Sequence, residues 1–194
     1  MNTLINQLKE GNERFLNNQQ VGHDYHEQIK QTAGGQKPFA AVLGCIDSRV
    51  PAEVVFDQGI GDIFNVRIAG NFVNDDILGS LEFACKVAGS KVILVLGHTS
   101  CGAVKGACDH VELGKLTGML DNLSPAVNSI AGHDDDRSSG NAAFVQAVAE
   151  SNVNLTVKAI TDRSEVLREM HQAGEISIVG AMYDVGSGKV TVME

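Results

Sequence analysis

The chain predicts an α/β fold: a mostly parallel central sheet flanked by helices, an antiparallel hairpin at its C-terminal edge, and a helical arm at the N-terminus. Three observations carry this reading. Residues 39–43 (Phe-Ala-Ala-Val-Leu) and 92–96 (Val-Ile-Leu-Val-Leu) are short and apolar throughout, as strands buried on both faces of a parallel sheet are. Segments of helical periodicity lie between and after them. The chain closes on two β-type runs split by Gly186-Ser187-Gly188, a strand, tight turn and strand.

In chain order, Leu4, Ile5, Leu8, Phe15 and Leu16 recur at helical spacing within residues 3–17. They make an amphipathic arm whose apolar stripe must dock on something; the arm region extends to about residue 35. Gly34-Gly35-Gln36-Lys37-Pro38 is a loop into the first strand. Residues 51–62 read as irregular, punctuated by Gly59-Ile60-Gly61-Asp62 before a third apolar segment at 63–68. Residues 75–88 read as a helix, with Ile77, Leu78, Leu81, Phe83, Ala84 and Val87 as its apolar positions and Gly89-Ser90 closing it. After Cys101 the pattern is helical through Gly106, and Pro125 ends or restarts a helix near residue 124. Residues 132–140 form a solvated loop, and its acidic triplet Asp134-Asp135-Asp136 reads as solvent-facing rather than as a calcium site. Helices are expected over about 142–160 and 163–173, then strands at 176–185 and 189–192. No repeat, low-complexity tract or linker interrupts the chain, so residues 1–194 read as one domain.

At 194 residues the chain is long enough for a full core. Its 24 acidic and 15 basic residues give a net charge of -9, which argues against nucleic acid and anionic membrane as partners, since both need a basic footprint. The N-terminus is too polar for a signal peptide, and no apolar run nears the ~20 residues of a membrane span. A cytoplasmic location is expected, where thiols stay reduced and serve metals or catalysis more often than disulfides.

Chemistry concentrates where the two apolar runs end. Cys45-Ile46-Asp47-Ser48-Arg49 follows the first, and His98-Thr99-Ser100-Cys101-Gly102 follows the second. Functional crevices of open parallel sheets lie beyond the carboxyl ends of the strands, so Cys45, His98 and Cys101 should converge on one edge. Two thiolates and one imidazole suit zinc rather than magnesium or calcium, and they leave a tetrahedral ion one open position, the catalytic arrangement. Cys101 also opens a helix, whose N-terminus favours the thiolate. Asp47 and Arg49 stand two apart, on the same side in extended geometry. An Arg so placed holds the carboxylate ionised by a charge-assisted hydrogen bond. Asp47 then either orients a nucleophile at the metal or, in a closed form, ligates the metal itself. The glycines around His98 have phosphate-loop spacing, but Ala103-Val104 replaces the Lys-Ser/Thr such a loop needs. Cys85 reads as a small core hydrophobe, Cys108 and His110 as incidental, and His23, His26, His133 and His171 as surface residues.

These residues resemble the β-class carbonic anhydrases. Cys45-Ile46-Asp47-Ser48-Arg49 is similar to that family's Cys-x-Asp-Ser-Arg motif, and Gly97-His98-Thr99-Ser100-Cys101-Gly102-Ala103 to its second metal motif. Val66-Arg67-Ile68-Ala69-Gly70-Asn71 and the arm segment 8–15 are similar too; the likeness is strong over about residues 8–105. The resemblance implies Zn2+ held by Cys45, His98 and Cys101, an Asp47–Arg49 dyad, and a Gly102 N–H lining the substrate pocket. It implies reversible hydration of CO2 to bicarbonate by zinc hydroxide, and a homodimer or homotetramer in which the arm packs on a neighbouring subunit. A hydrolase of a CO2-like linear substrate such as CS2, or a zinc-bearing binding protein, would share the metal set; the Asp47–Arg49 pair argues for an enzyme. A bicarbonate-inhibited subgroup of that family carries a Trp three residues before the first Cys. Val42 stands there and the chain has no Trp, while Arg67 and Tyr183 resemble the other members of that site. The expectation is therefore a site open at neutral pH, without cooperative bicarbonate inhibition.

Overall fold

The apolar runs form strands, and their order in the sheet decides where the chemistry falls. The computed structural model describes residues 2–133 and 135–193; Asp134 of the acidic triplet lies outside the described residues. Strands β1 (Ala40–Gly44), β2 (Ile63–Arg67), β3 (Val92–His98), β4 (Ser177–Tyr183) and β5 (Val190–Val192) make one sheet in the order β2-β1-β3-β4-β5. The first four run parallel, and β5 pairs antiparallel with β4 as the expected hairpin edge. Every residue of β1 and β3 is buried, which is why both read as continuous apolar runs. The two strands that lead to the metal-capable residues are neighbours in the sheet but not in the chain, because β2 intervenes in sequence and takes the edge.

Alternation along the strands sends successive side chains to opposite faces. Ala41, Leu43, Ile93, Val95 and Met182 share one core with α5 (Gly102–Cys108), α7 (Ser124–Ser129), α8 (Ala142–Arg163) and α9 (Glu165–Gln172). Ala40, Val42, Val92, Leu94, Leu96 and Tyr183 share the other with Leu8 of α1 (Asn2–Leu16) and Val55 of α3 (Ala52–Val55). The arm thus docks on its own domain. Leu8 is buried, and Asn12 Nδ2 donates to the carbonyls of Val55 (3.1 Å) and Gly188 (2.9 Å) while its Oδ1 accepts from Val190 N–H at 2.8 Å. The stripe therefore does not by itself require a neighbouring subunit.

Some boundaries differ from the sequence reading for local reasons. The 51–62 stretch, expected to be irregular, holds the four-residue α3, whose N-cap is Pro51 in extended conformation. A further helix, α2 (Tyr25–Thr32), is capped by the Asp24 carboxylate accepting from Glu27 N–H. The helix expected at 75–88 is α4 (Asp75–Glu82) continued by a π-helical turn, Phe83–Val87. Pro125 sits in the first turn of α7, after α6 (Gly114–Leu120) and a 3-10 turn, so it restarts a helix. No helix among the described residues is long and apolar enough to cross a membrane.

Candidate metal centre

β1 and β3 pair in register, Gly44 beside Leu96, so the residues just past each strand meet at one sheet end. Cys45 follows Gly44, His98 ends β3, and Cys101 precedes the first turn of α5. Ser100, at φ +56°, turns the chain so that Cys101 swings back beside His98. The ligand atoms of Cys45, His98 and Cys101 lie within 4.8 Å of one another, and all three residues are buried. It is the one cluster of three or more such groups among the described residues.

The donor set fits a zinc ion. Bond lengths of about 2.3 Å to sulfur and 2.0–2.1 Å to nitrogen are compatible with ligand atoms gathered this closely. The His98 ring is fully buried, and its Nδ1–H donates to the Thr99 carbonyl at 2.9 Å. That bond leaves Nε2 as the lone-pair nitrogen, and this buried atom has no hydrogen-bond partner among the described residues. An orphaned imidazole nitrogen between two thiols is costly without an ion to ligate.

Tertiary surroundings act on the two thiols alongside the helix terminus. The hydrogen bond from Cys101 holds the Cys45 thiol well below its ordinary range, against the opposing effect of burial, with help from His98 and Gly70. Cys101, donating that bond from a more buried place, is pushed up, and the N–H groups of Val104 and Ala103 at the start of α5 do not reverse this. The two thiols influence one another's ionisation, and an ion bound between them would displace their protons. The Cys45 sulfur also accepts the Gly70 N–H at 3.4 Å, and the Gly70 carbonyl accepts from buried Asn152 Nδ2 at 2.8 Å. All four cysteines are free, and Cys85 and Cys108 are buried as core residues.

Asp47 and Arg49 pair through a turn, not through extended chain: Val50 N–H donates to the Asp47 carbonyl at 3.0 Å. Arg49 donates Nε to Asp47 Oδ1 (2.9 Å), Nη2 to Oδ2 (2.8 Å) and its backbone N–H to Oδ1 (3.0 Å). The Arg49 hydrogen bond holds the Asp47 carboxyl well below the usual carboxylate range. Asp47 Oδ2 lies 3.9 Å from His98 Nε2, so the dyad borders the cluster. Gly102, the first residue of α5, is exposed, and a Cβ built on it would meet nothing within 4 Å.

Sequence reasoning names Arg67 only through its resemblance to a bicarbonate-site residue and misses the supports beneath these groups. Arg67 donates Nε to the Cys45 carbonyl at 2.8 Å and Nη2 to the Asp47 carbonyl at 2.6 Å. It clamps the main chain that carries ligand and dyad alike. Gly70 serves the sulfur through its backbone at φ +84°, which no side-chain pattern announces. His23, expected at the surface, is largely buried: its Nε2 lies 3.3 Å from Asp57 Oδ1 and its Nδ1 3.2 Å from Gln28 Nε2.

Comparison with known proteins places this geometry. The carbonic anhydrase family model matches residues 40–190. Carbonic anhydrase 2 of Mycobacterium tuberculosis is 38% identical over 197 residues, covering 96% of this chain and 90% of that protein. A β-carbonic anhydrase of Aspergillus fumigatus superposes with a TM-score of 0.75 at 31% identity, over 88% of this chain and 82% of that one. A tetrameric β-carbonic anhydrase of Sordaria macrospora shares the fold, with a TM-score of 0.73 at 24% identity over 87% and 90% of the two chains. A parallel sheet that gathers two thiols and an orphaned imidazole at its carboxyl end, with an Asp–Arg pair beside them, agrees with these likenesses. The chain belongs to the β-class carbonic anhydrase family, zinc enzymes that hydrate CO2 to bicarbonate.

Proposed function

We propose that Cys45, His98 and Cys101 hold one zinc per chain and that Asp47, Arg49 and Gly102 carry the CO2 reaction beside it. The observation that supports this most is the buried His98 Nε2, unpartnered among the described residues and set among two thiols. Zinc at such a site supplies a Lewis acid that brings the pKa of water down towards neutrality. The residues do the rest. Asp47, held ionised and aimed by Arg49, would accept a hydrogen bond from the nucleophilic oxygen and so orient it towards CO2. Gly102 N–H, one of the unpaired donors of the first turn of α5, lines the substrate pocket and receives an oxygen of the product. Arg67 keeps Cys45 and Asp47 in register with one another.

The same arrangement sets an open-or-closed choice. While Arg49 holds both oxygens of Asp47, the carboxylate is kept from the metal site; released, it would be near enough to serve as a further ligand and close the site. Lower pH would favour that closed form, so activity should rise from neutral to alkaline pH. Arg67 spends two of its donors on main-chain carbonyls and Val42 is buried in β1, which supports an enzyme without cooperative bicarbonate inhibition. The test is stopped-flow CO2 hydration by zinc-replete Arg49→Ala and Asp47→Asn. Misplacing the dyad should cost roughly a hundredfold or more in kcat/KM, and near-normal rates with zinc retained would remove the dyad from the mechanism.

The chain is read as a single domain acting in the cytoplasm, where thiol ligands stay reduced, and as a homodimer or a dimer-based tetramer. What supports assembly is the outer edge of β2, which no other strand covers among the described residues, with Phe64 stacked edge-on against exposed Phe83 and with exposed Val87 nearby in sequence. Open edges with apolar flanks invite pairing with a second copy. Light scattering showing a stable monomer at micromolar concentration would refute it.

A further inference from the structure

We propose that the β4–β5 hairpin sets the aim of the metal-binding imidazole through Thr99, a positioning residue, with Asp184 behind it. This rests on His98 being a zinc ligand. The His98 ring is held by one hydrogen bond, Nδ1–H to the Thr99 carbonyl at 2.9 Å, so the direction of Nε2 follows the position of that carbonyl. Thr99 in turn is tied to three consecutive residues of the hairpin. Its N–H donates to the Tyr183 carbonyl at 2.9 Å, its Oγ1 donates to Asp184 Oδ1 at 3.3 Å, and the same Oγ1 accepts from Val185 N–H at 3.0 Å.

Asp184 is itself fixed. Its Oδ1 also accepts from Gly186 N–H at 2.8 Å, and its Oδ2 from Ser187 Oγ at 3.0 Å. The tight turn of the C-terminal hairpin is thereby keyed, through one hydroxyl, to the peptide that orients the ligand. Outer groups that hold a ligating histidine govern metal retention as well as geometry. A hydroxyl is needed here because it must donate to the carboxylate and accept from an N–H at once, which a valine of the same shape does not do.

The test uses the zinc-loaded protein and two readouts besides activity: the rate of zinc release to the chromophoric chelator 4-(2-pyridylazo)resorcinol, and the visible spectrum of the cobalt-substituted protein. Thr99→Val removes both hydroxyl bonds at constant shape and should release zinc roughly tenfold faster, with shifted cobalt bands. Thr99→Ser should restore both readouts to near wild type. Asp184→Ala should share the effect, and the Thr99→Val/Asp184→Ala double variant should be no faster than Thr99→Val alone. Ser90→Ala is the control for general loosening, because Ser90 Oγ donates to the Pro38 carbonyl at 2.8 Å, before the first residue of β1; it should lower Tm without moving zinc release. Release within twofold of wild type in Thr99→Val, or equal acceleration in Ser90→Ala, would overturn the proposal while leaving His98 a ligand. Full zinc content in His98→Ala would instead overturn the ligand assignment, and the proposal with it.

Discussion

Gly70→Ala should damage both the fold and the metal centre, and its effect follows from the geometry. Gly70 sits at φ +84°, and a Cβ there would lie 2.9 and 3.1 Å from the Leu123 methyls and 3.4 Å from Ala103 Cβ. The left-handed backbone costs an L-residue about 1–2 kcal/mol. Leu123 is fully buried, so it yields only by repacking, at about 1–3 kcal/mol. Together these give about 2–5 kcal/mol, a fall in Tm of roughly 4–20 °C for a chain of this size. Any outward shift of the turn also withdraws the N–H from the Cys45 sulfur. The assay is thermal melting by circular dichroism of zinc-loaded protein, with zinc release measured in parallel. Gly118→Ala is the matched control: Gly118 is exposed within α6, and a Cβ there would meet nothing within 4 Å, so the variant should gain about 0.5–1 kcal/mol. A Gly70→Ala protein that melts within 2 °C of wild type and holds zinc equally well would refute this reasoning.

Asn12→Ala strands two carbonyls and one N–H at about 1 kcal/mol each, so Tm should fall by roughly 6–12 °C; a fall under 2 °C would mean the arm is not docked through these bonds. Asp57 is buried, which opposes its ionisation, but hydrogen bonds from Arg14, Val21 and His23 outweigh that and hold its carboxyl below the usual range. A lowered folded pKa contributes stability that is full above the unfolded value, about 3.9, and is lost as pH falls through the folded value. Urea denaturation should therefore show wild type ahead of Asp57→Asn by about 2 kcal/mol at pH 7, with the gap narrowing only below about pH 4; a gap that widens on acidification would contradict the pairing. In the zinc-replete enzyme, kcat should rise from pH 7 to pH 9, checked by stopped flow in a buffer series, and a flat or falling profile would remove the proposed closed form at lower pH.

What depends on side-chain pattern is legible in the amino-acid sequence. Strands β1 and β3 announce themselves because both faces are buried, and the metal set does so because two ligand-bearing motifs end those strands. The hairpin is legible from Gly186-Ser187-Gly188. What escapes lies in backbone conformation and long-range pairing. Nothing in the arm's stripe says whether its groove is its own domain or a neighbour's; that depends on Asn12 reaching Val55 and Gly188, 43 and 176 residues away. The Asp47–Arg49 pair is legible, but the extended geometry expected for it is not what forms. A reverse turn at Asp47 lets Arg49 fold back on the carboxylate with the backbone N–H as a third donor. At Cys101 the N–H groups of the helix terminus favour the thiolate as expected, but burial and the contact with Cys45, both tertiary and invisible in the local pattern, oppose them.

The most direct measurement is CO2 hydration by stopped flow at pH 8, paired with elemental analysis, on wild type, Cys45→Ser and His98→Ala. Wild type should carry about one zinc per chain and accelerate hydration far above the buffer rate, while both variants lose metal and activity together. Full zinc in either variant, or zinc-replete wild type hydrating CO2 no faster than buffer, would contradict the assignment of this centre.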